Sequence, residues 1–179
     1  MDNTEKIRRI ILDAGFSAEG IIPTEELVFS EDVRNLCEQN RCRKYGTTWA
    51  CPPAVGTLEE CRERVLEYRY MHLFSKIYTL ESSLDFRGMA EGMKDFKDST
   101  WELGRLLKGE VSPFRVLSNE SCNRCKKCTY PSEPCRFPDE LQHSIEGYGF
   151  NINELAKQAG LLYNNGAGTM TFFGAVLHS

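Results

Sequence analysis

Residues 122–135 read Cys-Asn-Arg-Cys-Lys-Lys-Cys-Thr-Tyr-Pro-Ser-Glu-Pro-Cys, and this stretch constrains the fold and chemistry of the chain more than any other. Cys122, Cys125 and Cys128 are each separated by two residues. Three thiols at this spacing wrap one corner of an iron–sulfur cluster, whereas zinc sites usually pair one Cys-x-x-Cys knuckle with a distant second knuckle. The stretch therefore predicts a loop that holds a [4Fe–4S] cluster, with zinc as the alternative.

Cys135 departs from the bacterial ferredoxin pattern. In that pattern the fourth cysteine follows after three residues and precedes a proline. Here six residues separate Cys128 from Cys135, and Pro134 comes before it. Because the fourth cysteine of a two-cluster ferredoxin ligates the other cluster, Cys135 is expected either to complete the set of Cys122, Cys125 and Cys128 or to serve a second site.

The remaining cysteines form a second group. The chain has 8 cysteines, and the other four are Cys37, Cys42, Cys51 and Cys61. Residues 37–53 are rich in Gly, Asn, Thr and Pro, which favours an irregular loop that could fold its thiols around a metal. Two groups of four thiols match the ligand count of two [4Fe–4S] clusters. Zinc is again the alternative, because this spacing is less characteristic of either metal.

Cys61 has two competing interpretations. Thr57 and Glu60 have the spacing of a capping box, so a helix is expected to begin there and to place Cys61 and Val65 on one apolar face. A buried free cysteine on such a face acts as a small hydrophobe. If Cys61 is not a ligand, seven thiols remain, and one cluster needs a non-cysteine ligand or has an open iron.

Composition bounds the class of protein. One domain over residues 1–179 is expected, and 41% hydrophobic residues suffice for a core. No apolar run approaches the ~20 residues of a membrane helix. The net charge of -4 argues against nucleic-acid binding. No secretion signal is recognisable, so we expect a cytoplasmic protein whose clustered cysteines bind metal rather than form disulfides.

Basic residues gather near both cysteine groups. Cations close to an anionic [4Fe–4S] cluster would stabilise it and raise its reduction potential. They could equally dock an acidic partner or simply be solvated at the surface. The residues are Arg34, Arg41, Arg43, Lys44, Arg124, Lys126, Lys127 and Arg136.

Hydrophobic periodicity predicts a small sheet flanked by helices, with cysteine loops at 37–61 and 122–135. Strands separated by helices indicate an α/β or α+β fold. Helices are expected near residues 7–14, from Ser30 towards Cys37, and over 57–69, 86–108 and 151–160. Strands are expected over 71–79, 114–117 and 169–177.

The chain carries few signals of a substrate site. His143 lies near the second cysteine loop and could be a ligand or proton carrier, but no ligand spacing marks it, and an ordinary histidine is the commoner case. A Gly-rich phosphate loop with a following Lys-Ser/Thr is absent from the sequence, as is a Gly-x-Ser-x-Gly elbow.

With both groups described, the chain resembles a prokaryotic family of predicted metal-binding proteins, domain-of-unknown-function family 2284. Three signatures carry the resemblance: Cys37 to Pro53; Cys122 to Pro138, continuing as Ser144-Ile-Glu-Gly-Tyr-Gly; and the closing stretch 169–177. The resemblance implies metal binding, most naturally by iron–sulfur clusters, in prokaryotes that are often anaerobic. It implies no particular reaction, and Cys61 lies outside the signatures.

Three hypotheses follow for function. The leading one is electron transfer with a redox partner protein through one or two [4Fe–4S] clusters. The second is an iron–sulfur oxidoreductase, a reductase or activator that uses an open iron on a small-molecule substrate. The third is a zinc-stabilised interaction module. The candidate metal and cofactor ligands are Cys37, Cys42, Cys51, Cys61, Cys122, Cys125, Cys128 and Cys135.

Overall fold

Helices and strands alternate along the chain in the computed structural model, which describes residues 2–179. In this range the α-helices are α1 (Asn3–Asp13), α2 (Glu31–Glu38), α3 (Leu58–Leu66), α4 (Phe86–Lys108) and α5 (Ile152–Gln158). The strands are β1 (Ala18–Pro23), β2 (Tyr70–Thr79), β3 (Phe114–Ser118), β4 (His143–Ser144) and β5 (Thr169–His178).

The strands form one mixed sheet in the order β1-β2-β5-β3-β4. All neighbouring pairs are antiparallel except β3 and β4, which are parallel. The central strand, β5, pairs with β2 on one side and with β3 on the other. The sheet flanked by helices confirms the predicted fold class in its α+β form.

Both faces of the sheet are buried. Phe74 of β2 points into a core shared with α1 and α4, which includes Ile11 and Phe96. Its neighbour Leu73 points into the opposite core, which includes Val65 of α3 and Leu155 of α5. Successive side chains of a strand face opposite sides, so the apolar run in β2 supplies both cores.

The predicted helix ends are confirmed where capping residues marked them. Thr57 and Glu60 form a complete capping box at the start of α3, at 3.1 Å and 2.7 Å. The side chain of Ser30 caps α2, and α4 ends at Gly109. No helix within residues 2–179 is both long and apolar enough to cross a membrane.

Two strands were not predicted, β1 and β4. β1 is an edge strand that begins with Ala-Glu-Gly, which has low strand propensity, and β4 has only two residues. Gly20 lies so close to the carbonyl of Ala159, at the end of α5, that a Cβ there would collide with it. These strands form because of such tertiary contacts, which local sequence does not reveal.

Each cysteine loop lies on a connection between two neighbouring strands of the sheet, and the two loops are in contact. The first loop lies between α2 and α3, on the connection from β1 to β2, and the second joins β3 to β4. The indole N–H of Trp49 donates to the carbonyl of Glu133 at 3.2 Å. The backbone N–H of Ser144 donates to the carbonyl of Ala50 at 2.8 Å. The sheet thus brings the two loops together as neighbours.

Candidate metal centre

Four thiols line one cavity in the second loop, which we call the 122–135 site. They belong to Cys122, Cys125, Cys128 and Cys135, which line a small cavity that is partly open to solvent. The structure therefore places Cys135 with the other three thiols of its own loop. Four thiols around a shared space are the donor set of a [4Fe–4S] cluster.

The walls of the 122–135 site are aromatic and cationic. Trp49, Trp101 and Phe137 line the cavity. The guanidinium of Arg124 lies 4.8 Å from the ring centre of Phe137 and 5.8 Å from that of Trp101. Apolar walls limit solvent access to a cluster, and a cation beside it offsets its negative charge.

Hydrogen bonds within this loop support the arrangement of its thiols. The N–H of Arg124 points at the sulfur of Cys122 at 3.5 Å. The hydroxyl of Thr129 donates to the carbonyl of Pro134 at 2.9 Å, which folds the loop back towards Cys135. N–H donors on cluster sulfurs tune the reduction potential, so the loop already presents one.

Three thiols line a second cavity, which we call the 37–51 site. Cys37 lies near the end of α2, Cys42 in the turn that follows, and Cys51 further along the loop. The cavity measures about 210 Å³, and it is also lined by Tyr45 and Glu146. Lys44, Glu120 and Ser121 complete its polar wall.

Local backbone geometry makes the first loop compact. Asn40 and Arg43 have φ angles of 52° and 59°, in the left-handed region that asparagine tolerates better than most residues. The side-chain oxygen of Asn40 accepts the N–H of Tyr45 at 3.0 Å. The N–H of Gly46 donates to the carbonyl of Pro52 at 2.9 Å. These turns bring Cys42 and Cys51 back towards the end of α2.

The electrostatics of the 37–51 site favour a bound cation. Burial, and then the charges of Glu146 and Cys51, raise the pKa of the Cys37 thiol to about 11. Burial also raises the pKa of Cys51, against the opposing hydrogen bonds of Ser121 and Thr48. Acidic groups that repel one another become favourable neighbours once a cation lies between them, because metal binding deprotonates thiols.

The two sites share a boundary. Ser121, which lines the 37–51 cavity, directly precedes Cys122 in the chain. The hydroxyls of Ser121 and Thr48 lie 2.9 Å apart and are buried. Trp49, two residues before Cys51, lines the cavity of the 122–135 site. Each loop therefore contributes wall residues to the other's site.

Lys97 of α4 lies beneath this boundary. It is buried, and its ammonium donates to the carbonyl of Asn119 and to the hydroxyl of Ser118 at 3.3 Å. Burial lowers the pKa of Lys97 to about 8, while the charges of Glu146, Glu120, Cys122 and Cys51 oppose that shift. The charge of this one buried lysine therefore acts on thiols of both sites.

The structure does not bring Cys61 to either cavity. Its side chain is fully buried in the core under α3. The guanidinium groups of Arg34 and Arg64 lie 3.8 Å and 3.9 Å from its sulfur, and the thiol donates to the carbonyl of Val55 at 3.5 Å. Its contacts are those of a packed core residue.

The histidines lie apart from both cavities. His143 Nδ1 is 2.8 Å from the hydroxyl of Tyr148, and burial, aided by the charges of Arg115 and Arg64, lowers its pKa to about 3. His72 lies 2.8 Å from a carboxylate oxygen of Glu19. Neither side chain reaches a thiol site.

The sequence analysis missed Glu146 and Lys97. Glu146 lies inside the signature Ser144-Ile-Glu-Gly-Tyr-Gly, the one signal that could have singled it out. Lys97 follows Met93 by four residues and precedes Thr100 by three, so it falls on the apolar face of α4. A lysine on such a face is unusual enough to mark a site.

The donor sets suit a cluster. Within residues 2–179, no three His, Cys, Asp or Glu side chains are grouped closely enough to hold a single metal ion. The four thiols of the 122–135 site line a common cavity, and four thiols are the usual donor set of a [4Fe–4S] cluster and also of some structural zinc sites. The residues present at this site fit that group.

Comparisons with known proteins place the chain. No match was found among curated proteins. A solved structure of epoxyqueuosine reductase from Streptococcus thermophilus is similar, with 10% identity and a TM-score of 0.47 over 99% of this chain and 46% of that chain. This chain therefore spans less than half the length of that protein. The model of the family described as "Predicted metal-binding protein (DUF2284)" matches residues 20–178, which confirms the resemblance, and the chain belongs to this family.

Proposed function

We propose that this protein transfers electrons through two neighbouring [4Fe–4S] clusters, one at the 122–135 site and one at the 37–51 site. The observation that carries the proposal is the boundary at Ser121. This residue lines the 37–51 cavity and is adjacent in the chain to Cys122 of the other site. A bound cluster supplies one-electron redox chemistry, and the protein supplies the position, the exclusion of water and the local charge.

The 122–135 site supports the role of a closed electron-transfer centre. All four ligands would come from the protein, and Trp49, Trp101 and Phe137 shield the space from solvent. The guanidinium of Arg124 lies over the rings of Trp101 and Phe137. It also forms an ion pair with Glu140 at 3.1 Å. An arrangement without an open ligand position favours electron transfer over substrate binding.

The surface around the 122–135 site supports a redox partner with an acidic docking face. Arg124, Lys126, Lys127 and Arg136 are all exposed on this loop. A cluster of like charges steers an oppositely charged protein and makes association depend on salt. We expect electron transfer to such a partner to slow as ionic strength rises.

The 37–51 site gives a second candidate function, reduction or activation of a small molecule. Only three thiols line this cavity, and its polar wall includes Lys44 and Tyr45. If the fourth ligand position were open, a substrate could bind there with these side chains beside it. Titrating small molecules against the EPR spectrum of the reduced protein tests this, and an unchanged spectrum contradicts it.

Anaerobic purification followed by metal, sulfide and EPR measurements tests the leading proposal. Two clusters predict about eight irons and about eight sulfides per chain. Because the sites are neighbours, the EPR spectrum of the fully reduced protein should show magnetic interaction between them. Zinc without iron or sulfide would overturn the proposal and support a zinc-stabilised interaction module. Two isolated signals without interaction would contradict the shared boundary as an electron path.

A further inference from the structure

The 37–51 site has three cysteine ligands available, and a cubane cluster has four corners. Three side chains are close enough in the fold to be considered for the fourth position: Cys61, Glu120 and Glu146. Their surroundings differ sharply, and those differences select one of them.

The sulfur of Cys61 lies against arginine and does not line the 37–51 cavity. Arg34 donates to the carbonyls of Gly147 and Gly56, both at 2.7 Å, and also lies 3.8 Å from the Cys61 sulfur. The charge of Arg34 also acts on Cys37. Cys61 does not line the 37–51 cavity, and its sulfur lies beside a guanidinium that two carbonyls hold in place.

Glu146 is held next to the site by the fold. It begins a 3-10 turn, Glu146–Tyr148, that directly follows β4. Hydrogen bonds fix the two residues before it. Ser144 N–H donates to the carbonyl of Ala50 at 2.8 Å, and Ile145 N–H donates to the carbonyl of Ser118 at 2.9 Å. Ala50 is adjacent to Cys51 in the chain. The turn therefore holds Glu146 beside the thiols of the first cysteine loop.

Hydrogen bonds orient the Glu146 carboxylate through one oxygen. The hydroxyl of Ser144 donates to Oε2 at 2.9 Å, and the N–H of Glu120 donates to the same oxygen at 3.2 Å. These two contacts leave Oε1 for another partner. A carboxylate that is fixed through one oxygen and lines a cavity with three thiols has the form of a preorganised ligand.

Glu120 is a poorer candidate. It is exposed, and the contact that the structure gives it is through its backbone N–H, which supports Glu146. Its φ of 47° lies in the left-handed region and aims that N–H at the Glu146 carboxylate. Glu120 therefore acts on Glu146 more directly than on the thiols.

The charges point the same way. Glu146 is the first charged group to act on the Cys37 thiol, and it also acts on Cys51. Burial raises the pKa of Glu146 itself. A cation bound among three thiolates and a carboxylate would offset the repulsion between their negative charges.

We propose that the carboxylate of Glu146 is the fourth ligand of the 37–51 site, so that seven cysteines and one glutamate hold the two clusters. This inference rests on the proposed function, because it assumes iron at the 37–51 site. A carboxylate is a harder and weaker ligand for iron than a thiolate. The iron bound to Glu146 is then the corner that most readily exchanges its ligand.

Substitutions at the three candidate positions in the full-length protein, purified anaerobically, test the proposal. We expect Glu146→Gln, which keeps the hydrogen-bond acceptor, to lose about one iron per chain and to show the EPR signal of an oxidised three-iron cluster. Glu146→Cys should restore the fourth iron with an altered spectrum. Cys61→Ser should match the wild type in iron content and spectrum, and Glu120→Gln, which alters the wall of the site, should keep all of its iron.

The opposite pattern would overturn it. A wild-type spectrum in Glu146→Gln, or loss of iron in Glu120→Gln or Cys61→Ser instead, contradicts ligation by Glu146 while leaving two clusters intact. X-ray absorption of the metal at the 37–51 site, in a protein whose 122–135 site is removed by Cys125→Ser, counts ligands independently. Three sulfurs and one oxygen support the proposal, and four sulfurs contradict it. If zinc is found there, the same count judges Glu146 while the electron-transfer function fails separately.

Discussion

The 122–135 site and the 37–51 site differ in where their components come from. The first collects four thiols from one loop and is walled by two tryptophans and by the cations Arg124 and Arg136. The second collects three thiols from the end of α2 and the loop that follows it, and its wall includes Glu120 and Glu146. One site is self-contained and cationic, whereas the other is assembled across elements and is acidic.

This difference in charge should set the direction of electron flow. Cations near a cluster stabilise its reduced, more negative form, and carboxylates destabilise it. We therefore expect the 122–135 cluster to have the higher potential and to receive electrons from the 37–51 cluster. Redox titration followed by EPR would show the order in which the two signals appear.

Removing one ligand of the self-contained site gives the largest expected effect. In Cys125→Ser we expect loss of the whole cluster of the 122–135 site, about four irons per chain, because that loop holds it alone. Both tryptophans of the chain line this cavity, so their fluorescence should rise once the absorbing cluster is gone. Iron analysis and emission spectra check both outcomes.

The 37–51 site should respond differently to that variant. Its EPR signal should persist but lose the magnetic interaction with its neighbour. If Cys125→Ser abolishes both signals, the two sites depend on each other, and the comparison drawn above fails.

Acid should destabilise the folded protein through the buried side chain of His143. Burial holds the pKa of His143, next to the turn that carries Glu146, at about 3, against about 6.5 for an unfolded histidine. The unfolded chain therefore binds the proton first, and this part of the stability is lost as pH falls from about 6.5 towards 3. The expected slope is about 1.4 kcal/mol per pH unit.

Denaturant unfolding of the metal-free protein at several pH values measures this slope, with His143→Gln as the comparison. Gln keeps a hydrogen-bonding group for Tyr148 but does not titrate. The variant should lose less stability in acid by about 2.7 kcal/mol at pH 4.5. His178, whose pKa burial and the charge of His72 lower to about 4, contributes a similar slope in both proteins. Equal slopes would exclude His143 as a source.

Lys97 lies at the boundary, so its removal should shift both potentials. In Lys97→Met we expect both clusters to become harder to reduce, by about 1 kcal/mol or roughly 40 mV for a one-electron couple. Redox titration measures the two shifts. A shift at one site alone would show that the buried cation belongs to that site rather than to both.

Cys61→Ser should have the smallest effect. Serine keeps a donor for the carbonyl of Val55 but is a smaller, more polar group in the core. We expect unchanged iron content and a loss of about 1 kcal/mol in the free energy of unfolding. Loss of iron without a loss of stability would instead show that Cys61 is a metal ligand.

The sequence revealed features whose residues lie close together in the chain. The capping box of Thr57 and Glu60, the end of α4 at Gly109 and the thiol spacing of the 122–135 loop are local patterns. The grouping of Cys37, Cys42 and Cys51 was also predicted, since they share a loop.

Features built from distant residues could not be predicted in the same way. Glu146 reaches the 37–51 site because Ser144 of β4 pairs with Ala50 of the first cysteine loop, and these two residues are far apart in the chain. Edge strand β1 is shaped by the approach of α5 to Gly20. Cys61 has the same residue type as the ligands, and only its burial beside Arg34 and Arg64 separates it from them.

The central position of β5 has a consequence for biosynthesis. The first cysteine loop belongs to the half of the sheet with β1 and β2, and the second to the half with β3 and β4. Thr169–His178 joins the halves, yet the ribosome makes it after both loops. At synthesis rates of about 5–20 residues per second, the thiols of the first loop wait several seconds without their final neighbours. We therefore expect assembly of the shared boundary to follow translation of β5, and the nascent chain to rely on cellular thiol protection until then.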